Sequence, residues 1–266
     1  MMRLGFTFLL VISMMLRVPC VAVCVDGAVV SAPNRVDKLD LTGIQDTVLG
    51  AFYRDMGMQR AEALPRVVKA LESGALDAGK SRAQIVTYWR SYALYYSSIY
   101  YMQTKQPEKA AATVQEGIEI LEALGQKGSE EYAMLARLQG VGLAFAGPKA
   151  PQMAQLMVAN GAKAIELDAE NVRAYVVAAI NDYFTPKAFG GRQKVKAYLT
   201  KALTLPAQRV ESAFMPSWGR EEAFEYLLRY KLEEEKGEGA AALYERAIQE
   251  FPNSYMIRSL SPQVNK

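Results

Sequence analysis

The sequence contains no histidine. That removes Ser-His-Asp and Cys-His catalysis and any metal site that needs an imidazole; carboxylate, lysine and tyrosine chemistry remain. Cysteine is nearly absent: Cys20 and Cys24 both lie close to the N-terminus, so the chain beyond them must fold without a structural disulfide. An excess of one charge sign is also missing. A net charge of +3 is too small to nominate nucleic acid or an anionic membrane as the main partner, and no basic run is interleaved with aromatics. No Gly-x-Gly-x-x-Gly or Gly-Lys-Ser/Thr pattern occurs. Gly190-Gly191 is therefore expected to shape a tight turn through positive φ. No pair of acids is spaced for a carboxylate hydrolase, and no cofactor is implied.

The one leader-like apolar run is Leu4 to Leu16, 13 residues between Arg3 and Arg17. This is the length of a signal-peptide core and short for a membrane span. Residues 1–24 are expected to be an export leader. Cys20 and Cys24 keep two readings open: ordinary leader residues, or the lipid-accepting residue of a lipoprotein, because Arg17-Val18-Pro19 and Val21-Ala22-Val23 loosely resemble a lipobox. Residues 25–40 lack periodicity and read as a linker. The folded region is placed at 41–266.

That region is periodic at helical spacing throughout. Ile44, Val48, Ala51 and Phe52 make one stripe, and Ala61, Leu64, Val67, Val68 and Leu71 the next, with Pro65 marking a start or a kink. The segment from Ser81 to Gln103 carries seven large aromatics, Tyr88, Trp89, Tyr92, Tyr95, Tyr96, Tyr100 and Tyr101. They read as packing residues, yet they are too many for one stripe, so some must pack outside their own hairpin or form a binding surface. Pro107 opens the partner helix. In the third pair, Gly140 and Gly142 cost roughly 1 kcal/mol each against Ala in a helix interior, which predicts another backbone pressed against them. Phe189 is expected to tuck the long turn of the fourth pair onto the body. Ser217 or Gly219 is expected to cap the next helix. Glu221-Glu222 and Glu233-Glu234-Glu235 read as solvated faces or helix-dipole charges.

The final unit, Glu221 to Ser254, is the most regular. Phe224, Leu227 and Leu228 share one face, Lys236-Gly237-Glu238-Gly239 is a turn, small Ala240 and Ala247 permit close approach, and Pro252 ends the second helix. This spacing resembles the tetratricopeptide repeat (TPR), a helical hairpin of roughly 34 residues that must stack on its neighbours to bury its apolar face. The resemblance extends over the body in architecture and over the last two hairpins in detail. It implies an all-α, right-handed superhelix of about four to five antiparallel helical hairpins.

The stretch Asn181-Asp182-Tyr183, Phe189-Gly190-Gly191 and Trp218-Gly219 also resembles exported bacterial TPR proteins, some of them lipoproteins that work beside transporters. The resemblance implies a non-enzymatic periplasmic scaffold that binds a protein or extended peptide in the envelope through its concave face. The alternative is an accessory component of a transport system that binds a small-molecule ligand. Membrane contact would come only through the leader or a lipid. Groove positions carried over from the repeat include Arg90, Leu94, Ser97 and Ser98 in the second hairpin, Arg173, Val176 and Tyr183 in the fourth, and Glu222, Glu225 and Arg229 in the last. Asp182 falls where the repeat places a packing Tyr. Either it is solvated, or Asn181, Asp182, Tyr183 and Arg173 build a polar pocket.

Overall fold

A computed structural model describes residues 40–77, 80–206 and 214–264. The expected leader (1–24), both cysteines and all of the linker but Asp40 lie outside the described residues. Among those described, the structure is all-α. Helices occur in adjacent pairs: α1 (Ile44–Met58) with α2 (Ala63–Asp77), α3 (Lys80–Gln103) with α4 (Pro107–Glu122), α5 (Ser129–Gly142) with α6 (Ala150–Leu167), α7 (Val172–Phe184) with α8 (Val195–Thr204), and α9 (Arg220–Glu234) with α10 (Ala240–Glu250). Two short helices, α11 (Tyr255–Arg258) and α12 (Ser261–Val264), follow. The helices form two compact units, each taken by itself below; the division falls after Gly140 in α5 and after Met153 in α6.

The first unit is organised by α3. This helix packs against α1, α2 and α4, so it needs apolar surface on more than one side. That accounts for the surplus of aromatics. Tyr88, Trp89, Tyr92 and Tyr100 are buried, and edge-on ring contacts run from Tyr88 through Trp89 and Tyr92 to Tyr96. Tyr96 in turn meets Phe52 of α1 at 5.1 Å between centroids. The Trp89 indole N–H donates to the Phe214 carbonyl at 2.7 Å, which satisfies its one buried donor. Pro65 lies in the first turn of α2, where its missing N–H is harmless.

Asp55, at the end of α1, is fully buried. Its carboxylate accepts from the backbone N–H groups of Ala63 and Leu64 at 2.8 and 2.9 Å. Those are the first N–H groups of α2, which have no partner within the helix. A carboxylate from one helix thus caps the next.

The second unit holds the core of α7 to α12. Val176, Ala179, Leu199, Ala202, Phe224, Leu228 and Ala247 form its buried centre, with Ile257 of α11 and Leu260, between α11 and α12, in the same cluster. The expected turn is present: Gly237 and Gly239 take φ of +81° and +69°, and α10 ends immediately before Phe251 and Pro252. Gly219 is the residue before α9, at φ +111°. The long α7–α8 connection contains a short 3-10 turn, Lys187–Phe189. Gly190 has φ +82°, and a Cβ on Gly191 would sit 1.9 Å from the Thr185 carbonyl oxygen, so the two glycines serve different needs. Phe189 does not tuck in; it is 67% exposed.

Gly140 and Gly142 also differ from expectation. What crowds them is side chain, not backbone. A Cβ at Gly140 would lie 2.3 Å from the Asn181 amide oxygen. One at Gly142 would meet the Met153 sulfur at 3.0 Å and Val114 at 3.3 Å.

Replacing Asp55 with Ala leaves two N–H groups, that of Leu64 buried and that of Ala63 partly so, without an acceptor. Loss of such a cap costs about 2 kcal/mol, so D55A should lower the urea midpoint by a corresponding amount, with D55N retaining part of the difference. A loss below about 0.5 kcal/mol, the level of an ordinary surface change, would show that the cap is not a major support of the fold.

Candidate functional site

The residues singled out by sequence fall into separate partnerships. In the first unit, Arg90 is half-buried and its guanidinium joins Glu72 of α2 and Glu116 of α4 at 3.0 and 2.6 Å. Ser97 is buried and donates its hydroxyl to the Ala93 carbonyl at 2.8 Å. Leu94 and Ser98 are buried as well. Of this set only Arg90 reaches solvent, and it straps three helices together.

The second unit brings more together, though not as the four-residue pocket. Asp182 is a cap: its carboxylate accepts from the backbone N–H groups of Lys194 and Val195 at 2.6 and 3.0 Å, the start of α8. Asn181 points elsewhere, donating to the Ala136 carbonyl of α5 at 3.1 Å. Tyr183 is buried and donates its hydroxyl to Glu233 at 2.7 Å, while the Arg192 guanidinium lies 4.5 Å over its ring. Burial, followed by the Glu233 hydrogen bond, pushes the Tyr183 hydroxyl far up, so it stays a neutral donor. Arg173 is 2% exposed and clasps Glu130 of α5 through Nε at 2.8 and 2.7 Å. Val176 is fully buried.

Arg173 is held from a second side by the cap of its own helix. Asn171 accepts from the Arg173 and Ala174 N–H groups and donates to Ser129 Oγ at 2.8 Å. Ser129 donates in turn to the Ala164 carbonyl. This relay ties α5, α6 and α7 through buried polar groups whose named donors each find an acceptor. Burial raises the Glu130 carboxyl even with Arg173 pulling it down.

The sequence did not single out Arg137. It makes a two-point contact with Glu222 at 2.6 and 3.0 Å and lies 4.5 Å over the Trp218 ring. Glu222 is thus an anchored partner, not a solvated charge. One turn along α9, Glu225 is buried and accepts from Arg229 Nε at 3.0 Å. Desolvation pushes Glu225 up to about 7; Arg229 opposes this, while Glu222 and Glu221 reinforce it. The acids at the end of α9 are engaged too. Glu233 and Glu234 bind Arg192 at 2.9 and 2.7 Å, Glu234 binds Lys187 at 2.6 Å, and Glu235 binds Lys196 and Lys231 at 2.6 and 3.0 Å. The Arg192 and Lys187 contacts hold the long α7–α8 connection against α9.

On α9, the adjacent Glu225 and Tyr226 lie three and four residues after Glu222, and Arg229 lies four and three residues after them. The Tyr226 ring meets Tyr183 and Phe184 of α7 at 5.5 and 5.9 Å. This mixed aromatic and charged strip is the candidate site. A separate cleft of about 240 Å3 is lined by Arg173, Trp218, Arg220 and Glu250 among others. It falls below the usual size of a small-molecule pocket, and Asn181, Asp182 and Tyr183 take no part in it. Its arginines are engaged: Arg220 pairs with Glu250 and donates to the carbonyls of Leu203 and Leu205.

Among the described residues, no group of three or more Asp, Glu, Cys or His side chains could hold a metal ion, and no helix is long and apolar enough to cross a membrane. No family model, curated protein or solved structure matches the chain.

Arg173 and Glu130 test whether this polar layer is structural. Removing one member of a buried pair strands the other's charge, so R173A should cost about 3 kcal/mol in chemical unfolding, whereas the double variant R173M/E130M should recover most of it. An R173A protein as stable as the parent would remove the pair from the list of supports.

Proposed function

We propose that this chain is a non-enzymatic, TPR-like scaffold that acts outside the cytoplasm, in a bacterial periplasm, and binds a partner protein or extended peptide. The superhelix of stacked hairpins belongs to the same proposal. The α9 strip carries it: Tyr226 and Arg229 remain partly accessible while their neighbours are fixed by ion pairs. Tyr and Arg are among the residue types enriched where interfaces concentrate their binding energy, and an already ordered strip loses little side-chain entropy on binding. Export, and tethering through the leader or a lipid on Cys20 or Cys24, rest on the N-terminal run alone.

Crosslinking the tagged protein in its native envelope, beside a Tyr226→Ala/Arg229→Ala variant, tests the binding role. The expected outcome is one defined protein recovered with the parent and reduced at least tenfold with the variant, both being folded by circular dichroism. Equal recovery would move the site off α9, and no defined partner would overturn the scaffold.

Tethering predicts an intact mass. Protein purified from the envelope should lack the leader and carry added acyl mass if a cysteine is lipidated. Full-length, unprocessed mass would overturn export by cleavage.

A further inference from the structure

Glu225 occupies an unusual place in the strip. It is 6% exposed and its hydrogen bond comes from Arg229, one turn away on the same helix, at 3.0 Å. Arg229 is itself about a quarter exposed, so the pair has one foot in the interior and one at the surface. On α9 the charged neighbours are Glu221 and Glu222 towards the N-terminus and Arg229 towards the C-terminus. From α5 comes Arg137, already committed to Glu222. From α7 comes Tyr183, which faces Arg229 but donates to Glu233. Charged groups of α8 and α10 that reach α9 engage elsewhere: Lys196 with Glu235, Glu250 with Arg220, and Arg246 over the Phe224 ring. On α11, Arg258 donates to the Pro252 carbonyl. Glu225 therefore faces two like charges and one cation.

We propose that Glu225 is a proton-operated latch on Arg229: protonation of the carboxyl releases the guanidinium and leaves the α9 strip one unit more positive. The chemistry is a single proton taken from solvent by the carboxylate, with no other bond made or broken. The release follows because the ionic hydrogen bond is what holds Arg229 along the helix; a neutral acid holds it far less well. The balance lies close to neutrality because burial and the flanking acids oppose the charged form while Arg229 supports it. Acidification would then change the charge that a partner meets, which rests on the binding role proposed above; the latch itself does not.

The direction of the stability effect follows by linkage. A carboxyl raised in the folded state holds its proton where the unfolded chain has released it, so stability falls as pH rises from about 4.5 through 7 relative to a chain without that carboxyl. Glu225→Gln should flatten that part of the profile.

The test is NMR on the isotope-labelled chain. The Glu225 carboxyl carbon is followed from pH 4.5 to 8, and the mobility of the Arg229 side chain is read from the heteronuclear NOE of Nε. The expected result is a Glu225 midpoint near 7, with Arg229 rigid above it and mobile below it, and Arg229 mobile throughout in E225Q. A midpoint near ~4.3, the value of an ordinary glutamate, would overturn the latch, as would an Arg229 that stays rigid across the titration. Should E225Q fold poorly, R229Q serves instead: losing the cation must raise the Glu225 midpoint further, and an unchanged midpoint sinks the coupling. None of these readouts needs the partner, so failure of the latch and failure of the scaffold are told apart.

Discussion

Every helix begins with N–H groups that have no partner inside it, and hairpin packing places many of those groups against protein instead of water. The turns of α1–α2 and α7–α8 meet this constraint in the same way. Asp55 and Asp182 sit at the ends of the first helices, and each carboxylate accepts two N–H groups at the start of the second. One side chain fixes where the second helix starts, places its negative charge at the positive end of the helix dipole and sets the span of the connection. The stripes of α2 and α8 can pack onto α1 and α7 only when those starts are fixed.

Arginine extends this use of charge between helices. Arg90 joins α2 to α4 through α3, Arg173 and Arg137 join α7 and α9 to α5, and Arg192 holds the α7–α8 connection to the end of α9. A planar fork with several donors suits such bridging better than a lysine, whose charge is a point. Net stability from these pairs is modest: desolvation offsets most of the attraction in the buried Arg173–Glu130 and Arg137–Glu222 pairs, and solvent screens those whose carboxylates are half exposed, as at Arg90. What the buried pairs supply is register: shifting α5, α7 or α9 by one residue would pull Arg173 from Glu130 or Arg137 from Glu222.

Helix pairs were legible because the signals are local. Gly237 and Gly239, Pro107 and Pro252 act on their own backbone and on the residues beside them, so sequence shows them directly. The aromatic surplus of α3 was legible as surplus, but which helices receive it depends on packing. Asp182 was misplaced for a related reason. Its partners lie 12 and 13 residues away across a turn of irregular length, and nothing in its own helix reveals them. Asp55, with the same role, drew no attention. Gly140 was read as a place for backbone contact, whereas its space is filled by Asn181, which is 41 positions further along the chain. Glu222, Glu233 and Glu234 looked solvated because their partners come from distant parts of the chain: Arg137 of α5 for Glu222, and Lys187 and Arg192 of the α7–α8 connection for the other two.

Glu225 shows how far a local reading can go. Its Arg229 partner is four residues away, a spacing that stabilises many exposed helices by a few tenths of a kcal/mol. On an exposed helix that pair would hold the carboxylate charged. Here the same pair sits where water is largely excluded, and desolvation outweighs the guanidinium. The sequence contains the pair but not its surroundings, and the surroundings decide the sign of the shift. Glu221 and Glu222 push in the same direction from the first turn of α9, a place where acids favour the helix dipole. Their presence therefore helps α9 to form while it makes Glu225 easier to protonate, so helix stability and proton sensitivity are coupled through the same three carboxylates.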